Sequence, residues 1–401
     1  MHIFTLKPAA RILAAGTALS IAFGGAALAA DANAVANRIK EIYGKQGVEL
    51  TFAGVKGDSS TVVLQDVKAK IAVAKAPDHK EFSVGDIQLN NVQDGADGAY
   101  KIGEVVVPDV DVQEPGKNEQ GHFTVTGIRM SDVELPSPNA QGALAQMIFY
   151  HKANVAEMTF GKPGEDGMTV KDISATLDSA DRAKKIDFSM TVGSIDAAFK
   201  SKNPLEALDT DKLHATVQSS GSWAPTDGDA RLDNVTIDAQ DIGKLTLSGD
   251  IGGYDVAFVE AVQKMQQDMV KNQGKQDNSA AGLAMLGLAE QLNLKNLSIR
   301  FDDASLTDKL LTYYAKKQGS DAAALREQIK MMVPLMATQL KNPDFIQSVK
   351  DASDKYFTDP KSLTLSASPD QPVTFASIAA AASLDPTKLI QLLKVGIVAN
   401  N

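Results

Sequence analysis

A short pattern returns seven times along this 401-residue chain: apolar, any, apolar, any, Asp or Asn, apolar, any, and in six of the copies apolar again. The copies are Val62-Leu64-Asp66-Val67-Ala69, Ile87-Leu89-Asn91-Val92, Val105-Val107-Asp109-Val110-Val112, Ile128-Met130-Asp132-Val133-Leu135, Met168-Val170-Asp172-Ile173-Ala175, Ala230-Leu232-Asn234-Val235-Ile237 and Leu292-Leu294-Asn296-Leu297-Ile299. The second lacks its last apolar residue because Asp94 stands there. A period of two marks a strand with one buried face, and a single three-residue step turns all later side chains over unless a bulge or corner absorbs the extra residue. Asp or Asn sits in that step every time. Both tolerate unusual backbone angles and bond their own neighbouring amides, so they suit a bulge. The pattern predicts a β-sheet with one apolar face, shared by Val107 with Val110 and by Met130 with Val133.

Two longer runs agree in detail. Tyr100, Ile102, Val105, Val107, Val110, Val112 and Phe123, Val125, Ile128, Met130, Val133, Leu135 share the spacing 2, 3, 2, 3, 2, and Phe82, Val84, Ile87, Leu89, Val92 follows the same steps. The Asp/Asn positions are spaced unevenly along the chain, which argues against a strict solenoid and for a bulged, strongly twisted meander. From residue 48 to about 254, strand-like runs alternate with turn clusters such as Asp94-Gly95-Ala96-Asp97-Gly98, Glu114-Pro115-Gly116-Lys117-Asn118 and Pro225-Thr226-Asp227-Gly228. A short helix over Ala30 to Gln46 precedes them, with Val35, Ile39 and Ile42 at helical spacing. Past Tyr254 the period becomes helical, with strands at Leu292 to Phe301, Leu363 to Ala367 and Val395 to Val398. Ser305 and Asp321 are expected to cap helices, and Gly319 to end one. The expected fold is α+β: a large twisted, bulged antiparallel sheet, elongated or taco-like, with C-terminal helices packed on it. Residues 1–29 read as a leader, 30–254 as the β-rich repeat region and 255–401 as an α+β region completing the sheet.

Lys7 and Arg11 introduce an apolar stretch from Ile12 to about Ala22, followed by Ala27-Leu28-Ala29. That is the build of a secretory signal peptide, with cleavage expected between Ala29 and Ala30. No later apolar run reaches the roughly 18 residues of a membrane span, so no transmembrane segment is expected after cleavage. The chain has no cysteine, which removes disulfides, thiol catalysis, cysteine zinc sites and a lipid-modified cysteine. Export without disulfides fits a bacterial periplasm. The formal charge of −10 argues against nucleic acid as a partner. The densest basic stretch, Arg182-Ala183-Lys184-Lys185, reads as a solvated turn.

No catalytic set, metal set or cofactor motif emerges. His79, His122, His151 and His214 stand at neither metal nor triad spacing, although His151 beside Tyr150 is a candidate to face a pocket. Ser220-Gly221 and Ser248-Gly249 lack the Gly-x-Ser-x-Gly elbow of a serine hydrolase. The Asp-Gly clusters at 94–98 and 227–229 lack the carboxylate spacing of a calcium loop and read as hairpin turns. What remains is apolar surface. Ile102, Val105, Val107, Val110, Val112, Val125, Ile128, Met130, Val133 and Leu135 form the candidate face, to be covered by helices, by a second sheet layer or by a lipid-like molecule. Met331, Met332 and Met336 are candidates for an adaptable lid.

The apolar-x-apolar-x-Asn/Asp-Val-x-apolar element resembles the strand repeats of AsmA-like and YdgA-like bacterial envelope proteins. The stretch from Leu363-Thr364-Leu365-Ser366-Ala367 through Gln371-Pro372-Val373 to Leu392-Leu393-Lys394-Val395 resembles exported proteobacterial proteins. The resemblance implies a β-rich envelope protein associated with lipid movement or outer-membrane homeostasis, with envelope lipid or an envelope protein as partner, and it supplies no catalytic residues. The resulting expectation is a periplasmic, non-enzymatic protein of cell-envelope maintenance that binds lipid-like ligands on an apolar sheet face. The alternatives are a structural or protein-interaction module with a filled β core, and an exported hydrolase.

Overall fold

The computed structural model describes residues 31–45, 47–58, 60–71, 81–113, 122–161, 167–199, 205–271 and 278–401. The leader, its cleavage position, His79 and the Glu114 to Asn118 turn lie outside these residues. Among the described residues the fold is α+β: one open antiparallel sheet of 18 strands with eight helices, most of them C-terminal. The strands are β1 (Val48–Thr51), β2 (Gly54–Gly57), β3 (Thr61–Ile71), β4 (Glu81–Asp94), β5 (Tyr100–Val107), β6 (Val110–Gln113), β7 (His122–Thr126), β8 (Ile128–Leu135), β9 (Lys152–Phe160), β10 (Gly167–Asp181) and β11 (Lys185–Ala198). They continue as β12 (Lys212–Ala224), β13 (Asp229–Ala239), β14 (Gly243–Gly252), β15 (Asn293–Asp303), β16 (Ser362–Ala367), β17 (Val373–Thr374) and β18 (Val395–Ala399). The helices are α1 (Ala32–Lys45), α2 (Val256–Lys271), α3 (Asn278–Gln291), α4 (Leu306–Gln318), α5 (Ala322–Ala337), α6 (Pro343–Thr358), α7 (Phe375–Leu384) and α8 (Lys388–Leu392). Among the described residues no helix is long and apolar enough to cross a membrane.

The three-residue step has a physical form. Asp66, Asn91, Asp132 and Asp172 all take left-handed backbone angles, with φ of 48°, 55°, 50° and 53°. L-residues avoid this region, and Asp and Asn are the side-chain-bearing types that enter it most readily. All four are exposed, and the apolar residues on either side stay together: Leu64 and Val67 are each 1 % exposed, and Leu89 and Val92 are both buried. Asn234 and Asn296 reach the same end by register shifts, between Leu232 and Val235 in β13 and opposite the Asp250/Ile251 step of β14. Asp109, in the break between β5 and β6, accepts the Gly127 N–H at 3.0 Å through Oδ1.

Glycine faces these steps on the neighbouring strand. The β4–β5 and β5–β8 registers set Gly103 between Asn91 and Asp132. A Cβ on Gly103 would lie 2.9 Å from the Asn91 Cβ, and one on Gly193 2.8 Å from the Asp172 Cβ. The kinked backbones approach so closely that only glycine fits. Ser220-Gly221 and Ser248-Gly249 belong to the same system: Gly221 and Gly249 pair with Leu232, beside the β13 irregularity.

The chain divides into two compact units, one holding the described residues of 1–112, 124–156 and 174–188, the other those of 113–123, 157–173 and 189–401. The first has a filled core. Helix α1 buries Val35, Ala36, Ile39 and Ile42, and Val62, Leu64, Leu89, Ile102, Val133 and Leu135 are buried on the strands. Arg38, also buried, is fixed by its Nε and Nη2 donating to the carbonyls of Pro136 and Ser137. In the second unit, β12 to β16 form successive antiparallel pairs, β17 adds to β15 and β18 to β16. The change of period at Tyr254 falls inside this unit.

Several local expectations need correction. Ser305 does not cap α4: its hydroxyl bonds the Asp241 carbonyl, and Asp303 Oδ2 accepts the Thr307 N–H at 3.1 Å instead. Asp321 does cap α5, accepting from Ala324 N at 2.7 Å, and that helix runs through Pro334. Helix α3 begins at Asn278, although Gly274 to Gly282, rich in polar and small residues, reads from the sequence as a loop. Arg182 is not simply solvated, because its guanidinium stacks 3.8 Å from the Phe149 ring centroid and pairs with Glu134.

We expect Asp132→Val to destabilise the protein by about 1–2 kcal/mol, the cost of forcing a β-branched residue into the left-handed region that Asp tolerates, with Asp132→Gly close to neutral. Urea unfolding of the two variants measures the difference.

Candidate functional site

Directly opposed residues of an antiparallel pair share a face, so the registers of the second unit assemble three apolar rows. Val217, Ile237, Leu245, Phe301 and Leu363 make one. Val235, Leu247, Ile299, Leu365 and Ile397 make the next, and Leu232, Gly249, Leu297, Ala367 and Val395 the third. The other face is polar, with Gln218, Thr236, Thr246, Arg300 and Thr364 in one row and Ser248, Ser298 and Ser366 in another. Arg300 bonds Asp302 and Asn401 there.

The apolar rows are not filled as the first unit's core is. Of their members only Ala367 is buried; Ile237, Leu245 and Leu365 keep 42, 40 and 42 % of their surface exposed. At the β16–β18 end, helix α6 covers part of the face. Ala352 and Tyr356 pack with Ala399, and Phe357, Leu363 and Ile397 lie against them. The Tyr356 hydroxyl anchors that helix, donating to Asp303 Oδ2 at 3.0 Å and lying 2.7 Å from Thr307 Oγ1. Burial, aided by Asp303 and opposed by the Thr307 hydrogen bond, pushes the Tyr356 phenol up to about 12, so it stays a neutral donor. Helix α5 uses Ala322, Leu325 and Ile329 to pack on Leu311 and Ala315 of α4. Its Met331, Met332, Leu335 and Met336 are exposed.

The candidate face drawn from β5 to β8 is divided by the structure. Ile102, Val125, Val133 and Leu135 are buried as core. Val105, Val107, Val110, Val112, Ile128 and Met130 are half-buried. Ile102 pairs with Val133, Val105 with Met130 and Val107 with Ile128, while Lys101 pairs with Glu134. The more open apolar surface lies on β12 to β16, where the sequence carries its own alternation in Leu245, Leu247 and in Leu363, Leu365.

The histidines stand elsewhere. His151 Nδ1 lies 3.1 Å from Asp178 Oδ1 and 3.3 Å from the Leu177 carbonyl, and the neighbouring Tyr150 is buried, its phenol pushed up to about 12 by desolvation. His214 lines an open cleft of about 680 Å³ with Asp196, Asp241, Lys212 and Lys309. Its Nδ1 is 2.6 Å from Asp196 Oδ1, and Ser194 donates to Asp196 Oδ2 at 2.8 Å. His214 and then Ser194 hold the Asp196 carboxyl below its ordinary range. In this set the serine is bonded to the acid rather than to the imidazole, the reverse of a nucleophile and base. Among the described residues no group of three or more acidic, His or Cys residues is placed to hold a metal ion.

A family model described only as an uncharacterized protein matches residues 236–400, which hold most of the open apolar strands. No curated protein matches the chain.

Because the Asp196 pKa is depressed on folding, its contribution to stability is present above the normal carboxylate range and lost as pH falls through the folded value. Asp196→Asn should therefore give a shallower acid limb in thermal melts below about pH 4. On the open face, Leu245→Ser and Leu365→Ser are expected to lower the unfolding free energy by about 1 kcal/mol each, in keeping with side chains 40 and 42 % exposed. Leu64→Ala, in the filled core, should cost about 2–5 kcal/mol in the same urea titrations.

Proposed function

We propose that this is an exported periplasmic protein of cell-envelope maintenance that holds lipid-like molecules by their acyl chains on the apolar face of β12 to β16, without a catalytic step. The observation that carries the reading is the incomplete burial of that face. Three adjoining apolar rows back onto a polar surface, and the side chains at Ile237, Leu245 and Leu365 stay open. Soluble proteins seldom leave contiguous apolar surface of this kind uncovered without a binding role. An acyl chain laid along it gains roughly 0.8 kcal/mol for each methylene withdrawn from water, less the cost of ordering the chain. Such binding needs desolvation and shape, with no nucleophile.

The leader-like N-terminus, the lack of cysteine and the resemblance to AsmA-like and YdgA-like proteins support the periplasmic and envelope parts of the reading. The arrangement of His214, Asp196 and Ser194 supports a non-enzymatic role, since the serine hydroxyl is spent on the carboxylate. A second reading, a protein-interaction module, draws on the first unit, where Val62, Leu64, Leu89 and Ile102 are buried together with the apolar side of α1.

Native mass spectrometry of the protein taken from periplasmic extract, and after incubation with palmitate or phosphatidylethanolamine, tests the proposal. The expected result is a lipid adduct that Leu247→Glu and Ile299→Glu both remove while the circular dichroism spectrum is kept. A wild-type protein that carries and acquires no lipid would overturn it.

A further inference from the structure

Helix α3 is apolar on every side. From Asn278 to Ala289 it carries no charged residue, and the stretch Gly282-Leu283-Ala284-Met285-Leu286-Gly287-Leu288-Ala289 has no polar side chain. A helix that is apolar all round belongs in a protein core or in hydrocarbon. This one stands in neither. Leu283, Met285 and Leu286 are 70, 63 and 51 % exposed, and every residue from Gly282 to Gly287, more than a full turn, is exposed. Among the described residues, nothing lies within 4 Å of where a Cβ on Gly282 or Gly287 would stand. Cover begins only at Leu288 and Ala289, which are half-buried.

Helix α3 packs against α7, and α7 continues the same surface. It too has no charged residue; Ala379, Ala380 and Ala382 are exposed, and Leu384 is 86 % exposed. Charged residues make up 22 % of this chain, yet these two neighbouring stretches hold none.

We infer that α3, with α7 beside it, is a membrane-docking element that enters the hydrocarbon of one bilayer leaflet. Hydrocarbon fits better than a protein partner. A protein surface covers one side of a helix, whereas the turn from Gly282 to Gly287 is bare and apolar all round, which only a surrounding apolar medium satisfies. The lack of charge removes the largest cost of leaving water for that medium. Length sets the depth: 14 residues rise about 21 Å, short of the roughly 30 Å hydrocarbon core, so the helix enters without crossing. The chain's net charge of −10 offers no attraction to anionic headgroups, so apolar burial drives the docking and salt has little effect on it. This does not rest on the lipid-holding reading of the sheet face.

Flotation with phosphatidylcholine vesicles, using protein purified from periplasmic extract, tests the inference. Wild type should float with the vesicles equally well in dilute buffer and at about 0.5 M salt. Leu283→Asp and Leu286→Asp, both at exposed positions, should each lower the bound fraction about tenfold or more with an unchanged circular dichroism melt. Leu283→Trp gives a second readout. With the Trp223 signal of wild type subtracted, its emission should shift to the blue on adding vesicles and be quenched by brominated acyl chains. Wild type that stays at the bottom of the gradient would overturn the inference, as would undiminished flotation of both Asp variants. So would a blue shift of Leu283→Trp that follows protein concentration without vesicles, which would assign α3 to a second copy of the chain. Protein that floats yet acquires no palmitate adduct would overturn the sheet-face reading alone.

Discussion

A left-handed Asp or Asn facing a glycine on the next strand is the constraint on which the long strands of this protein depend. Extended backbone alternates sides at every residue, so one odd step would send half of each apolar run into water. At Asp66 the chain absorbs that step in a single residue with φ 48°, and Leu64 and Val67 remain buried together. The neighbouring backbone then comes too close for a side chain, and Gly103 lies where Asn91 and Asp132 require it. Asp or Asn supplies the backbone angle, glycine supplies the clearance, and the apolar residues on either side supply the driving force.

The same device serves two different ends. In the first unit α1 lies against the strands and the kinked runs form a filled core of Val62, Leu64, Leu89 and Ile102. In the second, helices take only part of the apolar face: α6 covers Leu363, Ile397 and Ala399, and Leu245 and Leu365 are left open. The polar side of those strands is rich in Ser and Thr, with Arg300 held by Asp302 and Asn401. Solvent on that side and incomplete cover on the other leave the second unit with more open apolar surface than the core of the first.

Much of this was legible from residues alone. The period-two alternation, the three-residue step and the turn clusters give the α+β class, and the hairpin readings at 94–98 and 227–229 correspond to a short 3₁₀ turn after Gly95 and a turn with Gly228 at φ 75°. The glycines were legible too: Val84-Gly85-Asp86-Ile87, Ile102-Gly103-Glu104-Val105 and Val125-Thr126-Gly127-Ile128 each carry one in the first three-residue step of a run. Of the Ser220-Gly221 and Ser248-Gly249 pairs, which invite comparison with a nucleophile turn, Gly249 meets the same clearance requirement, since a Cβ there would lie 2.8 Å from the Asn296 carbonyl oxygen, and Gly221 pairs beside a register shift. What local patterning misreads is any bond made at long range. Ser305 resembles a helix cap, yet its hydroxyl goes to Asp241 and the cap is Asp303; Arg182 resembles a solvated cation, yet Phe149 and Glu134 hold it.

Sequence by itself determined that the strands have one apolar face and where each is kinked, because both depend on the order of side chains along a single strand. It determined nothing about which part of that face would be covered. Leu135 and Ile237 hold the same last place in two copies of the pattern, but one is 3 % exposed and the other 42 %, a difference that nothing in the local order of side chains encodes. The pairing of β18 with β16 is likewise a tertiary fact: the Asn400 N–H reaches the Ser362 carbonyl from a position 38 residues away in the chain, a distance no local pattern records.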